Sequence, residues 1–167
     1  PDKVQYLWEA VVSKHSSKLA IWRAFLNHKK AHFKSFQMAS IRAAYLTAIK
    51  SLRQWRDKTG TARDVLEFEG SILALLEDFC EFERQAGYQE RAFALVQALV
   101  EYNCFCPAAL AQDEEAARKH FEIFWDGEVP RLGEAAAAGF DAWFLAYRQQ
   151  QEMQQLQQMQ QQQRAGG

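Results

Sequence analysis

The sequence predicts an all-α protein, arranged as an α-solenoid of antiparallel helix pairs. Three observations predict it. Apolar residues recur at spacings of three and four along every long segment, and no run shows the strict alternation of a half-buried strand. The helical segments also fall into pairs of roughly 30 to 45 residues, with aromatics on the first member and small residues on the second, a pattern of stacked repeats.

The first element is a short aromatic-bearing helix from Lys3 to Ser13, followed by Ser16 or Ser17 as N-cap of a second helix. That second helix, about Lys18 to Phe33, sets Leu19, Trp22, Phe25, Leu26 and Lys29 on one face. The pattern resets at residues 34–37, and a third helix carries the stripe Met38, Ile41, Tyr45, Ala48, Ile49 and Leu52. The linker "DKTGTARD", with Gly60, is expected to separate two helical pairs.

Beyond it, Ile72, Leu75, Leu76, Phe79 and Phe82 form the inner face of a fourth helix, and Gly87 supplies a turn. Ala92, Leu95, Val96, Leu99 and Val100 form the facing stripe of a fifth helix, which Pro107 ends. Asp113 is placed to cap a sixth, with acidic residues in its first turn, where they suit the helix dipole. A last helix is expected to follow Pro130 to Gly133 and to run through Ala135 to Ala138, Trp143 and Tyr147. After Arg148 comes "QQQEMQQLQQMQQQQ", which either extends that helix or frays; with no partner for its thin apolar stripe, poor order is expected beyond about its middle. The domain reading is a helical repeat domain over 1–148 and a Gln-rich tail over 149–167.

The chain has 167 residues, enough to bury a core, and its 49% hydrophobic content is far from the signature of disorder. Its apolar runs fall well short of the roughly 18 residues that a membrane helix needs. The start, "PDKVQYLWEA", has no signal-peptide core, and the lack of an initiator Met points to an excerpt of a longer protein. The three cysteines, Cys80, Cys104 and Cys106, read as reduced thiols, the last two buried at a helix end.

The net charge of −1 hides an asymmetry: residues 1–58 hold 12 Lys+Arg against 3 Asp+Glu, and residues 59–167 hold 8 against 18. A basic half of +9 can attract RNA phosphates or an acidic partner, or it can face the acidic half of its own chain.

Arg42, Lys50, Arg53 and Arg56, with Trp55, are the best candidate contact for RNA or an acidic partner, set against a merely solvated helix side. His28 and His32 have ligand spacing but enclose Lys29 and Lys30, which would repel a cation. The carboxylates Glu67, Glu69, Glu77, Asp78, Glu81 and Glu83 read as the polar sides of helices rather than as a desolvated catalytic pair. Without a Walker loop, a nucleophile elbow or a dinucleotide fingerprint, the expectation is no enzyme, no cofactor, no metal and no small-molecule substrate.

Two resemblances carry the reading further. Segments such as "LAIWRAFLNHKKAHF…MASIRAAYLTAIKSL" resemble half-a-tetratricopeptide (HAT) repeats, with Trp22 and Phe25 on one helix and Arg42, Ala43, Tyr45 and Ala48 on the next. More specifically, "FCEFERQAGYQERAFALVQALVEYNCFCP" followed by "FEIFWDGEVPRLGE" is similar to the nuclear RNAi-defective-two protein family. Phe124, Trp125, Asp126, Pro130, Arg131, Gly133 and Glu134 carry its signature, for which a structural role is expected, with Arg131 paired to a nearby carboxylate.

That resemblance implies a nuclear, non-catalytic scaffold in small-RNA-directed silencing and in RNA processing and surveillance. Its implied partners are helicase, exosome or splicing proteins, with the family's helicase-binding segment outside this region. The Gln-rich run departs from the family pattern. For the signature stretch itself, helix end and docking corner both stand.

Overall fold

The computed structural model describes residues 2–32 and 36–165. Among these residues there are seven α-helices and no strand, as the period of three and four predicts. They are α1 (Asp2–Lys14), α2 (Leu19–Ala31), α3 (Met38–Lys58), α4 (Ala62–Gln85), α5 (Gln89–Cys104), α6 (Glu114–Asp126) and α7 (Phe140–Ala165), with a 3₁₀ turn at Ala108–Leu110. The expected end of the second helix at Phe33, and part of the reset at 34–37, lie outside the described residues. The chain forms two compact units, Pro1–Ala92 and Phe93–Gly167.

In the first unit α3 is central, packing along α4 and also on α2. Its expected stripe is buried at Ile41, Tyr45, Ala48 and Leu52, and Ala44 joins it. Tyr45 stacks on Phe79 of α4 at 4.9 Å, and its hydroxyl donates to the Asp78 carbonyl at 3.4 Å while accepting from Lys30 Nζ at 3.3 Å. A buried phenol needs such partners, because an unpaired hydroxyl in a core costs about 1–3 kcal/mol. The close packing of α3 on α4 corrects the expected break at Gly60. That glycine lies in a short connection within one unit, and the division between units falls inside α5.

The start of α2 departs from expectation as well. Its N-cap is Lys18, with no side-chain capping bond, rather than Ser16 or Ser17. Ser16 instead receives two indoles: its carbonyl accepts from Trp22 Nε1 at 2.8 Å and its Oγ from Trp55 Nε1 at 3.0 Å. N–H groups from two different helices thus close on one residue of the α1–α2 turn. Gly87 does end α4 as predicted, at φ 87°, where the Tyr88 N–H reaches the Glu83 carbonyl at 2.9 Å. This is the six-to-one bond that a left-handed residue after a helix permits.

In the second unit the core gathers Leu110, Ala117, Phe124, Phe140 and Phe144. Asp113 caps α6 as predicted, accepting from the Ala116 N–H at 2.9 Å. Several expectations fail here. Residues Ala135 to Ala138 are not helical; α7 begins at Phe140, after Gly133 and Gly139 at φ 89° and 88° and Ala136 at φ 66°. Of the predicted α5 stripe, Ala92 is buried and Leu95, Leu99 and Val100 are half-buried, but Val96 is 47% exposed, and the polar Gln97 and Glu101 are buried instead. Cys104, expected inside, is exposed, and Cys106 is half-buried. α7 continues through the Gln-rich run to Ala165, so that run extends the helix beyond the middle, past which poor order is expected from its sequence.

Candidate functional site

The predicted basic cluster does not converge on one surface feature. Arg42 turns toward α4 and holds Glu83 in a bidentate pair, Nε to Oε1 and Nη2 to Oε2 both at 2.7 Å. Its guanidinium lies 4.6 Å from the Tyr88 ring centre, and Arg91 Nε stands 4.0 Å from Glu83 Oε1. Glu83, expected on a wet helix side, has no exposed surface. A planar fork that matches both carboxylate oxygens is the arrangement that makes such burial tolerable. The Glu83 hydrogen bonds push the Arg42 pKa further up, so the cation persists.

Arg56 bonds Glu69 of α4 at 2.6 Å and Asp57 at 2.8 Å. Lys50 is exposed and Arg53 half-buried. On α2, Arg23 follows the same logic, bonding Asp78 of α4 at 2.7 Å. Three cations of the first unit, Arg23, Arg42 and Arg56, therefore answer its own acidic helix. Trp55 remains 42% exposed, with Lys58 Nζ 5.8 Å from its ring centre and its N–H held by Ser16.

The signature stretch builds a second arrangement around one carboxylate that sequence reasoning did not single out. Glu101 of α5 has no exposed surface, accepts from the Leu132 N–H through Oε1 at 2.9 Å and from the Phe140 N–H through Oε2 at 3.0 Å. Gln97, one turn earlier, donates to the Leu132 carbonyl at 2.7 Å. Phe140 opens α7 and Gly139 before it has no side chain to cap with, so Glu101 supplies the acceptor from another helix. Negative charge at a helix N-terminus is also favoured by the dipole. The pair of polar residues four apart inside the apolar run "FALVQALVEY" was the available signal.

The signature residues surround this staple. Phe124 is buried and meets Phe140 at 5.4 Å and Trp143 at 5.5 Å. Trp125 stacks on Phe121 at 5.6 Å, and the Arg131 guanidinium lies 4.0 Å from the Trp125 ring centre. That guanidinium donates to the Trp125 carbonyl at 3.1 Å, capping the end of α6, rather than pairing with a carboxylate as predicted. It is the Arg131 backbone N–H that meets a carboxylate, Glu134 Oε2 at 3.1 Å. Asp126 is exposed as the last residue of α6, Pro130 is half-buried, and Gly133 takes the left-handed conformation.

Among the described residues no three His, Cys, Asp or Glu side chains gather as metal ligands. Burial pushes the Cys80 and Cys106 thiols up, away from the reactive thiolate. Among the described residues the chain is all-helical, and its two buried carboxylates tie elements together, Glu83 to Arg42 of α3 and Glu101 to the backbone N–H groups of Leu132 and Phe140.

A family model described as "NRDE-2, necessary for RNA interference" matches residues 1–166, which takes in the Gln-rich run expected to depart from the family pattern. The chain belongs to the NRDE-2 family. It is 30% identical over 145 residues to the nuclear exosome regulator NRDE2 of Homo sapiens. It is 28% identical over 145 residues to the Mus musculus protein of that name and 26% identical over 159 residues to the Dictyostelium discoideum one. Each comparison covers 86% of this chain and 12% of the relative, so the chain spans a small part of these proteins' length. No solved structure matches it.

Proposed function

We propose that this chain is a non-catalytic protein-interaction scaffold acting in the nucleus, in RNA processing and surveillance and in small-RNA-directed gene silencing. In this reading residues 1–148 are a HAT/TPR-like repeat domain and residues 149–167 a Gln-rich tail, whose stretch up to Ala165 prolongs the last helix. The partners are nuclear RNA-processing proteins of the helicase, exosome or splicing classes.

The observation that carries the reading is the use of charge: Glu83 and Glu101 are fully buried, and both are consumed by structural contacts. A catalytic carboxylate needs access to substrate, and these have none. The similarity to proteins named nuclear exosome regulator supplies the nuclear, RNA-processing context.

Crosslinking and mass spectrometry of the chain in nuclear extract tests the proposal. Nuclear RNA-processing proteins should dominate; recovery of only cytosolic metabolic enzymes would overturn it.

Direct RNA binding by the basic half is the second reading, favoured by the exposed Lys50 and Trp55. The bonds that Arg42 and Arg56 make to Glu83 and Glu69 weigh against it. Titrating single-stranded RNA against salt decides: direct contact requires affinity that falls steeply with salt, and no binding at low salt removes that reading.

A further inference from the structure

We propose that the groove between α1, α2 and α3 is a docking site for an acidic amphipathic helix of a partner protein. This rests on the scaffold reading and deepens it by naming a surface and the chemistry that fits it. The floor is apolar and firmly held: Val12, Trp22, Phe25 and Ala44 are each less than a tenth exposed. The long wall is α3, whose small and polar residues face the groove from Ser40 to Gln54. At about 1.5 Å per residue those 14 steps span roughly 21 Å, the length of about four helical turns.

Charge selects the partner. The arginines Arg23, Arg42 and Arg56 of α2 and α3 are bonded to carboxylates of α4. Lys29 and Lys50, which line the groove, have no carboxylate partner among the described residues. The groove's own carboxylate, Glu9, accepts from the neutral Gln5 amide at 3.1 Å and keeps its charge, so the two lysines outnumber it by one. One side of α2 and α3 is thus neutralised within the chain, and the groove side keeps ammonium groups that an acidic partner would complement.

The aromatic floor favours a peptide over RNA. Trp22 and Phe25 are packed at 6.3 Å edge to face, and the Trp22 N–H is taken by Ser16, so these buried rings offer no open face for stacking bases. Two lysines are also few for tracking a phosphate backbone. An amphipathic helix would set small apolar side chains on the floor and carboxylates at the rim.

The test uses the whole chain and a fluorescent synthetic helix of about four turns, with Leu and Ala on one face and Glu on its flanks. Fluorescence anisotropy should show saturable binding, weakened about tenfold in the K29E/K50E double variant, since two rim pairs are lost. A companion peptide with Lys in place of Glu should bind the double variant better than wild type, which also shows that the variant is folded.

Failure of the acidic peptide to bind, or equal binding to both proteins, overturns the proposal. So does loss of oligouridylate binding in the double variant when the peptide binds neither protein, which assigns the groove to RNA. Capture from nuclear extract separates this inference from the scaffold reading. Equal capture of RNA-processing proteins by wild type and variant keeps the scaffold and removes the groove. Absence of such capture by either protein, with the peptide still binding, removes the scaffold and keeps the groove.

Discussion

Replacing Glu101 by Gln should loosen the link between α5, the signature loop and the start of α7. The carboxylate holds two backbone N–H groups, of Leu132 and Phe140, at 2.9 and 3.0 Å with no exposure to water. Glutamine can keep one of them on its carbonyl oxygen. Its NH₂ then faces the other N–H, donor to donor, in a place where water cannot substitute. Losing one charge-assisted bond and leaving one buried donor unmet costs about 2–3 kcal/mol, or roughly a 30- to 150-fold rise in the local opening equilibrium.

Native-state hydrogen exchange reads this directly, because the amides concerned are the ones measured. Leu132 and Phe140 should lose about that much protection, while the Ala116 amide, held by Asp113 at 2.9 Å, should keep its own. Protection of Leu132 and Phe140 within about threefold of wild type would refute the staple. A parallel fall at Ala116 would show a global effect instead.

Three further outcomes follow from the same geometry. Arg42→Ala should lower the thermal midpoint clearly, because it strands the buried Glu83, and adding Glu83→Leu should restore much of the loss; equal midpoints for the single and double variants would contradict this. Gly139→Ala should destabilise by about 1–2 kcal/mol in urea titrations, since its φ is 88° and an added Cβ would sit 3.1 Å from Asp141 Oδ1 and 3.2 Å from Phe105 Cδ1. Gly60→Ala, with nothing within 4 Å, should be close to neutral by the same titration.

Burial, followed by the nearby Asp78 charge, pushes the Tyr45 phenol up from 10.0 to about 12. The folded state therefore binds this proton more tightly than the unfolded one. Its contribution is fully present below pH 10 and is lost as pH rises toward 12. Tyr45→Phe should flatten that alkaline loss in urea titrations run across the same range.

What the sequence determined alone follows from local physics. The period of three and four placed the stripes Trp22, Phe25 and Leu26, then Ile41, Tyr45 and Leu52, then Ile72, Leu75 and Phe79, and all of these are buried. Asp113 capped its helix and Gly87 closed its turn because capping and left-handed turns involve residues only a few positions apart. The signature from Phe124 to Glu134 identified the family for a similar reason: its order and spacing are legible without knowing what each side chain touches.

Tertiary structure decided the rest, because it turns on partners distant in the chain. Nothing near Arg42 in sequence says that Glu83, 41 positions on, will take its charge. Glu101 looked like one more helix carboxylate until the backbone of Leu132 and Phe140, 31 and 39 positions away, came to meet it. With a carboxylate available to cap Phe140 from outside, residues Ala135 to Ala138 were free to leave the helix that their composition favours. Helical propensity amounts to a few tenths of a kcal/mol per residue, whereas a buried charged hydrogen bond is worth several times more. At this loop the larger, long-range contribution prevailed.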